Sequence, residues 1–493
     1  PPRSTLFPYT TLFRSLRVCW CKQPSEPDPV NTGVGKGIPH ELIHSSLVTA
    51  FHCARPFKEL AVKPLNSISI ATLLTLGALP VLANTATLAP ITVSADLRQE
   101  KDQDLAASTS IQTQQQLQDQ GATHFGDILL QTPNVNYSGQ SSRPRHIQIR
   151  GMGERDEYTG APNASVGFAI DGIDFSGIGM VGNLFDVKQV EVLRGPQSTR
   201  YGASALAGLI NIQTNDPTAD NEQMIEASAG GDSLRELGLV SSGAFNKQAN
   251  STQYRFSMFK HTSDGFRNNA FLGRSDTNGR DELNIRGKLR FFPSSVTTVD
   301  VSLLHADYNN GYDAFSLNNS FTTLSDQPGK DTQLSNAGAV KVTHKGNPNF
   351  TLVSTTTLAN SDMRYSYDQD WLYASYPNVY SAIYNNQKNR RSLSQEIRLT
   401  STPASKLFNQ STDWLIGFYG SKLDERNDNF DTYIGTPTST DYTLTRLATF
   451  GQLNFQLRPT TQLTSGLRVE QHQADFNNSQ QEQFNPKIGR AHV

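Results

Sequence analysis

The sequence contains very little cysteine. Its three cysteines are Cys19, Cys21 and Cys53, and the chain beyond Cys53 has none. The Cys-x-Cys pair is followed by no histidine or cysteine pair at the spacing of zinc ligands. We therefore interpret the pair as a coincidence and predict no metal site.

The sequence also lacks a strong net charge and a long apolar run. Its 43 basic and 45 acidic side chains leave a net charge of −2, which gives no electrostatic reason to expect a nucleic-acid partner. No stretch reaches the roughly 18 apolar residues of a transmembrane helix. A membrane β-barrel would escape that test, because its strands alternate apolar and polar side chains. At 493 residues, two or more domains are expected.

Both ends of the chain look foreign to the rest. The opening PPRSTLFPYTTLFRS repeats TLF without a helix or strand period, and it resembles translated adapter sequence, as does the closing IGRAHV. Residues 1–61 precede a signal-peptide pattern that acts at an N-terminus. We therefore expect residues 1–61 and 488–493 to be non-native and the natural start to lie near Val62. Cellular peptides from residues 16–60 would contradict this.

Residues 62–83 have the pattern of a signal peptide. Lys63 gives the charged start, Ile68 to Leu79 the apolar segment, and Val81-Leu82-Ala83 the small-residue cleavage site. The alternative, a short buried helix, explains the segment's position and cleavage site less well. We therefore expect export, with a mature chain beginning at Asn84.

A short strand pattern follows within the linker 84–110. Ile91, Val93 and Ala95 alternate with Thr92 and Ser94, and a polar run from Asp96 to Gln120 comes next. An isolated strand on a polar segment has unpaired backbone groups, which suit it to join the sheet of another protein.

Residues 111–218 form a glycine-rich α/β segment. A helix is predicted over Phe125 to Gln131, before Pro133, and strands over His146 to Arg150, Val166 to Ile170 and Val187 to Leu193. The ordered runs IQIRGMG, VGFAIDGIDF and LFDVKQVEVLRGPQSTRYGASALAGLINIQT resemble the plug domain of TonB-dependent receptors. The segment Ile91 to Ala95 resembles the TonB box of that family.

Charged residues flank the strands of this segment. The resemblance implies that Arg150, Glu191 and Arg194 form ion pairs between plug and barrel, because buried charges need partners. The alternative is a solvated charge at a strand end.

Enzyme motifs are poorly supported. Asp171 and Asp174 are spaced like paired carboxylates, but they lie between a strand and a glycine-rich loop. No nucleophile elbow, complete dinucleotide fingerprint or metal cluster is present. We predict no catalytic residues, no cofactor and no enzymatic activity.

From residue 219 to 487 the pattern changes to alternating strands. Ile285, Leu289 and Phe291 share one face, and charged residues occupy the other. We count about eleven strands of about ten residues, joined mostly by alternating short and long connections, as in outer-membrane barrels. The longest connections are predicted near 262–280, 308–335, 361–391 and 422–441. The fold class expected is mainly β, with an α/β plug inside a transmembrane antiparallel barrel.

Barrels of the resembled family have 22 strands. The sequence ends near the start of a twelfth strand, so we expect a partial barrel. A half-barrel leaves an open sheet edge, and we expect that the chain as written does not insert or transport by itself. Protease-resistant barrel formation by this chain would contradict that.

The resemblance implies active import through the outer membrane of a Gram-negative bacterium. The expected partners are TonB with its inner-membrane energising proteins, outer-membrane lipid and a small-molecule chelate. Candidate substrate residues on the apical loops are Arg143, Arg145, Arg155, Asp156, Glu157 and Tyr158. Arginines and a tyrosine suit an anionic aromatic chelate, and the alternative is that all six are solvated loop residues. The loop near 361–391 is rich in tyrosine, which fits ring stacking or, alternatively, membrane-interface anchoring.

Three functions remain open at this point. The first is import of a ferric-siderophore-type chelate. The second is the same mechanism with cobalamin, haem or an oligosaccharide as cargo. The third is a passive porin, which needs neither a plug nor a TonB box.

Overall fold

The computed structural model describes residues 107–138, 141–155, 161–162, 164–197, 205–246, 250–377 and 380–479, all within one compact unit. The predicted signal peptide and the segment Ile91 to Ala95 lie outside these described residues. None of the helices in the described ranges is long and apolar enough to cross a membrane.

The first part of this unit, Ser108–Thr214, is an α/β domain that we call the N-terminal domain. A five-stranded sheet has the order β1-β7-β8-β5-β6, and a three-stranded sheet has the order β2-β3-β4. The strands are β1 Ser108–Thr113, β2 Val135–Ser138, β3 His146–Ile149, β4 Met152–Gly153, β5 Val166–Ile170, β6 Ile173–Asp174, β7 Val187–Arg194 and β8 Gly208–Thr214. The helices are α1 Gln114–Asp119, α2 Phe125–Leu129 and a 3-10 turn at Gly179–Val181.

Helix α2 begins at an unusual cap. The Nδ1 atom of His124 accepts a hydrogen bond of 3.0 Å from the Gly126 N–H, and Asp127 accepts one of 2.8 Å from the His124 N–H. These bonds satisfy amides that the first helical turn leaves without partners. The helix is two residues shorter than the predicted Phe125 to Gln131, because it ends in a turn before Pro133.

Close approach of β7 and β8 requires glycine at one position. Gly208 has φ +159°, and a Cβ added there would lie 2.4 Å from the Leu193 carbonyl oxygen. Any side chain would therefore push the two central strands apart. The core beside them includes Phe125 and Phe168, whose rings meet edge to face at 5.4 Å.

The second part, Glu222–Asn478, is an eleven-stranded antiparallel sheet that we call the strand wall. Each strand pairs with the next long strand in sequence, and the first and last strands form its edges within the described residues. The strands are β9 Glu222–Ala229, β10 Arg235–Ala244, β11 Gln253–Ser263, β13 Arg280–Ser294, β14 Thr297–Tyr312, β16 Gly329–His344, β17 Phe350–Asp368, β18 Ile383–Ser401, β19 Thr412–Asp431, β20 Thr438–Arg458 and β21 Thr461–Asn478. The predicted partial barrel of about eleven strands is confirmed.

The connections carry little regular structure. The short strands β12 Asn268–Asn269 and β15 Thr322–Thr323 pair in parallel between two long connections. A 3-10 turn at Pro403–Ser405 and a kinked turn at Leu407–Gln410 join β18 to β19.

The strands are longer than the sequence pattern indicated. From β13 onward they have 15 to 21 residues rather than about ten, and the connection predicted near 422–441 shortens to residues 432–437. On β14 the outward face changes from Val299, Val301 and Leu303 to polar residues beginning at His305. The apolar alternation therefore stops halfway along the strand, while the backbone ladder continues because it depends on the neighbouring strand.

Candidate functional site

The inner face of the strand wall packs against the N-terminal domain, and five ion pairs join them among the described residues. Each pair takes one partner from a loop or strand end of the domain and one from the inner face of the wall. The pairs are Arg143–Glu282, Arg145–Asp331, Asp171–Lys288, Asp174–Arg390 and Asp186–Arg255.

The pair between Arg143 and Glu282 has the most complete geometry. Arg143 Nε and Nη2 each donate to one carboxylate oxygen of Glu282 at 2.7 Å. Asn310 Nδ2 adds a third hydrogen bond to Glu282 at 2.9 Å, and both charged side chains are at most 6% exposed. Removing either charge would leave its partner buried without a counter-ion, which is costly.

His124 lies beside this pair. Its Nδ1 accepts from Gly126, so Nε2 carries the proton and donates to the Met180 carbonyl oxygen at 2.8 Å. Burial and the neighbouring Arg143 charge lower the pKa of His124 to about 4, since both disfavour the protonated ring. The ring is therefore neutral near pH 7.

Arg145 joins an aromatic cluster on the wall. Its guanidinium pairs with Asp331 and lies 5.6 Å from the ring centroid of Tyr365. Neighbouring rings in the cluster have centroids 5.0 to 6.1 Å apart. The cluster consists of Tyr312, Phe315, Tyr365, Tyr367, Trp371 and Tyr384.

The structure also locates the aromatic residues predicted in the loop near 361–391. Tyr365 and Tyr367 belong to β17, and Tyr365 is only 1% exposed, so its ring is covered in this conformation. Tyr380 remains in the connection and is 54% exposed, with Tyr433 at 5.1 Å. Stacking on a ligand stays a prediction, and Tyr380 is the more accessible ring.

The three residues expected to bridge plug and barrel lie in other surroundings. Arg150 is exposed at φ +54°, immediately after β3. Arg194 donates to Ser110 Oγ at 2.6 Å and to the Thr109 carbonyl oxygen at 2.7 Å, which ties β7 to β1. Glu191 accepts from Asn211 at 3.0 Å within the same sheet. These contacts stabilise the N-terminal domain internally, because β7 is a central strand of its sheet.

The candidate substrate residues divide into two groups. Arg143 and Arg145 are buried in ion pairs to the wall, so contact with a substrate would require those pairs to open. Arg155 is exposed, and its carbonyl oxygen accepts from Ser138. The other three, Asp156, Glu157 and Tyr158, lie outside the described residues, as does the predicted TonB box, Ile91, Thr92, Val93, Ser94 and Ala95.

The wall residues that hold the N-terminal domain were absent from the sequence-based candidates. Glu282 and Asp331 face inward from β13 and β16. The available signal was general, since a charged inner face requires polar protein or water inside. That signal does not identify individual partners.

Residues 101–209 match the family model described as the TonB-dependent Receptor Plug Domain. The chain contains the plug domain of a TonB-dependent receptor. The plug is thus the N-terminal domain, and the strand wall is the barrel segment that encloses it. The mainly β fold predicted from the sequence is confirmed.

Relatives of this chain agree with that assignment. It is 27% identical over 230 residues to the vitamin B12 transporter BtuB of Vibrio vulnificus (strain YJ016), which covers 46% of this chain and 36% of BtuB. It is 34% identical over 132 residues to the catecholate siderophore receptor Fiu of Escherichia coli (strain K12), covering 26% of this chain and 16% of Fiu. These relatives are named as transporters and receptors, which confirms the prediction that the chain is not an enzyme.

A solved structure shows the same fold. The ferric yersiniabactin uptake receptor FyuA of Yersinia pestis superposes with a TM-score of 0.65 at 19% identity, covering 76% of this chain and 57% of that chain. The present chain therefore spans just over half of FyuA and about a third of BtuB.

Proposed function

We propose that this protein imports a scarce nutrient, of the ferric-siderophore type, across the outer membrane in a TonB-dependent manner. The observation that carries the proposal is the plug, held against the inner face of the barrel strands by buried ion pairs. A passive pore has no use for such an obstruction, whereas an energised importer can displace it.

The outward face of the strand wall supports a position in a lipid bilayer. Leu358 on β17 lies directly opposite Leu393 on β18, and the two are 58% and 54% exposed. Leu303, Phe418, Leu447 and Leu467 are also more than half exposed on neighbouring strands. Exposed leucines in register form an apolar band, which outer-membrane lipid would cover.

The barrel end away from the short turns supports recognition of an anionic, aromatic chelate. Arg155 of the plug and Tyr380 of a barrel connection are exposed. Arg145 and Tyr365 are covered in this conformation, and they would join the site only when the ion pair between Arg145 and Asp331 opens. Guanidinium groups and tyrosine rings suit ligands that combine negative charge with ring faces.

In this proposal, residues 62–83 direct export, and energy reaches the plug through the segment Ile91 to Ala95, which the sequence predicts to be a strand. In this proposal the strand pairs with TonB, which the inner-membrane energising proteins drive, and the plug is displaced. Deletion of residues 91–95 is the decisive variant. We expect cells producing it to bind substrate at the surface but to lose uptake.

The identity of the cargo is tested by growing cells with and without iron. We expect peptides from residues 111–480 to rise in outer membranes of iron-starved cells and uptake of labelled ferric siderophores to depend on residues 91–95. Uptake that ignores the deletion would instead indicate a passive porin.

Cobalamin is the second candidate cargo. It is favoured by the match to BtuB, which extends over 230 residues, compared with 132 residues for Fiu. Protein levels that do not change with iron supply, together with uptake of labelled cobalamin, would support cobalamin as the cargo.

A further inference from the structure

A crevice of about 500 Å³ separates the plug from the barrel strands. On the plug side it is lined by β5, β6, β8 and the segment after β8, with the carboxylates Asp171, Asp174 and Asp216 and the cation Lys188. Each of these three carboxylates has an ion-pair partner on the barrel. On the barrel side it is lined by the inner faces of strands from β13 to β21, including hydroxyl groups of Thr355 and Ser394. The crevice is polar, which suits water and solutes rather than a packed core.

Positive charge dominates the barrel side of this crevice. Six cationic side chains line it there, against two carboxylates from the same strands. The cations are Lys288, Arg290, Lys341, Arg398, Arg446 and Arg468, and the carboxylates are Asp300 and Glu396.

Several of these cations already have partners. Lys288 pairs with Asp171 of the plug at 3.1 Å, and Arg290 pairs with Asp300 at 2.5 Å. Arg398 lies 3.2 Å from Glu396. Both barrel carboxylates that line the crevice are therefore paired. Arg468 pairs at 2.5 Å with Glu470, which lies on the same strand, β21.

Lys341 and Arg446 have no ion pair within 4 Å in the described part of the chain. The Nε atom of Arg446 is buried without a hydrogen-bond partner. A cation enclosed between protein walls keeps much of its field, since water screens it less than at an open surface. Two such cations facing one crevice attract anions into it.

We propose that this crevice is an anion-selective passage, in which Lys341 and Arg446 draw the negatively charged groups of the substrate between plug and barrel. The inference rests on the proposed import function and adds the charge of the substrate and its route. It places the route between β5 of the plug and the barrel strands β16, β17 and β20.

The passage is tested with small charged probes, without a known substrate. Thr355, on β17, lies directly opposite Lys341 of β16 and lines the crevice. The protein as cells produce it and insert it into the outer membrane, with Thr355→Cys, carries a thiol there, and the same protein without this change gives the background labelling. The labelling rates of this thiol with anionic methanethiosulfonate ethylsulfonate and cationic methanethiosulfonate ethyltrimethylammonium are compared in outer membranes.

We expect the ratio of the anionic to the cationic labelling rate at Thr355→Cys to be about tenfold higher than the same ratio at an exposed loop thiol, Asn318→Cys. Lys341→Gln combined with Arg446→Gln removes the preference, and each single change removes part of it. Lys341→Arg keeps it. Lys345→Gln, in the turn after β16, is the matched control and leaves the ratio unchanged.

Equal ratios at Thr355→Cys and Asn318→Cys would overturn the proposal, as would a thiol that neither reagent reaches while Asn318→Cys labels normally. Charge preference without any TonB-dependent uptake would refute the proposed function but leave the anion selectivity of the crevice standing. TonB-dependent uptake without charge preference in the labelling would refute the anion-selective passage but leave the proposed function standing.

Discussion

The ion pair between Arg143 and Glu282 predicts how firmly the plug is held. Glu282→Gln removes the carboxylate charge while nearly conserving volume, and it leaves the guanidinium of Arg143 buried. Breaking a buried pair in this way costs about 3 to 5 kcal/mol. The equilibrium for plug release should therefore rise by roughly 10² to 5 × 10³.

Hydrogen exchange of backbone amides measures this release. We expect amides of α2 and β3 to exchange at least about a hundredfold faster in Glu282→Gln, while amides at the centre of β17 and β18 keep their protection. The double variant Arg143→Met with Glu282→Leu should recover most of the protection, because an apolar pair carries no unpaired charge.

Arg150→Gln serves as the control, since Arg150 is exposed and forms no ion pair in the described residues. It should exchange like the parent chain. The reasoning is refuted if Glu282→Gln changes exchange in α2 less than threefold, or if the double variant is as unprotected as the single one.

Three further predictions concern pH, the membrane and packing. The pKa of His124 is about 4 in the folded plug and about 6.5 in the unfolded chain, so the unfolded chain takes up the proton first as pH falls. The contribution of neutral His124 to the free energy of unfolding is fully present above pH 6.5, and about 3 kcal/mol of it is lost between pH 6.5 and 4. His124→Asn should flatten this part of the pH profile measured by urea unfolding. Leu303→Lys places a charge in the apolar band and should lower the free energy of barrel unfolding by about 2 to 4 kcal/mol. Asp307→Lys, farther along the same outward face, should change it by less than about 1 kcal/mol. Equal losses in the two variants would disprove the assigned position in the bilayer. Gly238→Ala would put a Cβ 2.4 Å from the Phe185 ring, so we expect a loss of about 1 to 3 kcal/mol in urea unfolding, and an unchanged midpoint would show that the plug does not press on β10 as described.

The family and the general architecture were accessible from local sequence patterns. Ordered glycine-rich motifs between residues 147 and 214 identified the plug, because turns and close strand contacts restrict which residues can occupy those positions. Alternation with a period of two identified the barrel strands and their number, since successive side chains point to opposite faces.

Strand length was accessible only in part. The apolar alternation marks the portion of a strand that faces lipid, and on β14 it ends near Leu303. Beyond that residue the strand continues to Tyr312, because its hydrogen bonds come from β13 and β16 whatever its outward side chains are. The positions of the strands were therefore predicted correctly from the sequence, but the predicted strands were too short.

The partners of the charged residues were decided by tertiary structure alone. Arg143 meets Glu282 across 139 residues of sequence, and Arg145 meets Asp331 across 186. Alternation shows that a residue faces inward, but the depth and rotation of the plug inside the wall determine what it meets there. The same reason explains why Arg194, at the end of a plug strand, bonds to β1 rather than to the barrel. The sequence determined the kind of protein and the position of its strands, whereas the packing of plug against wall decided which charges hold it closed.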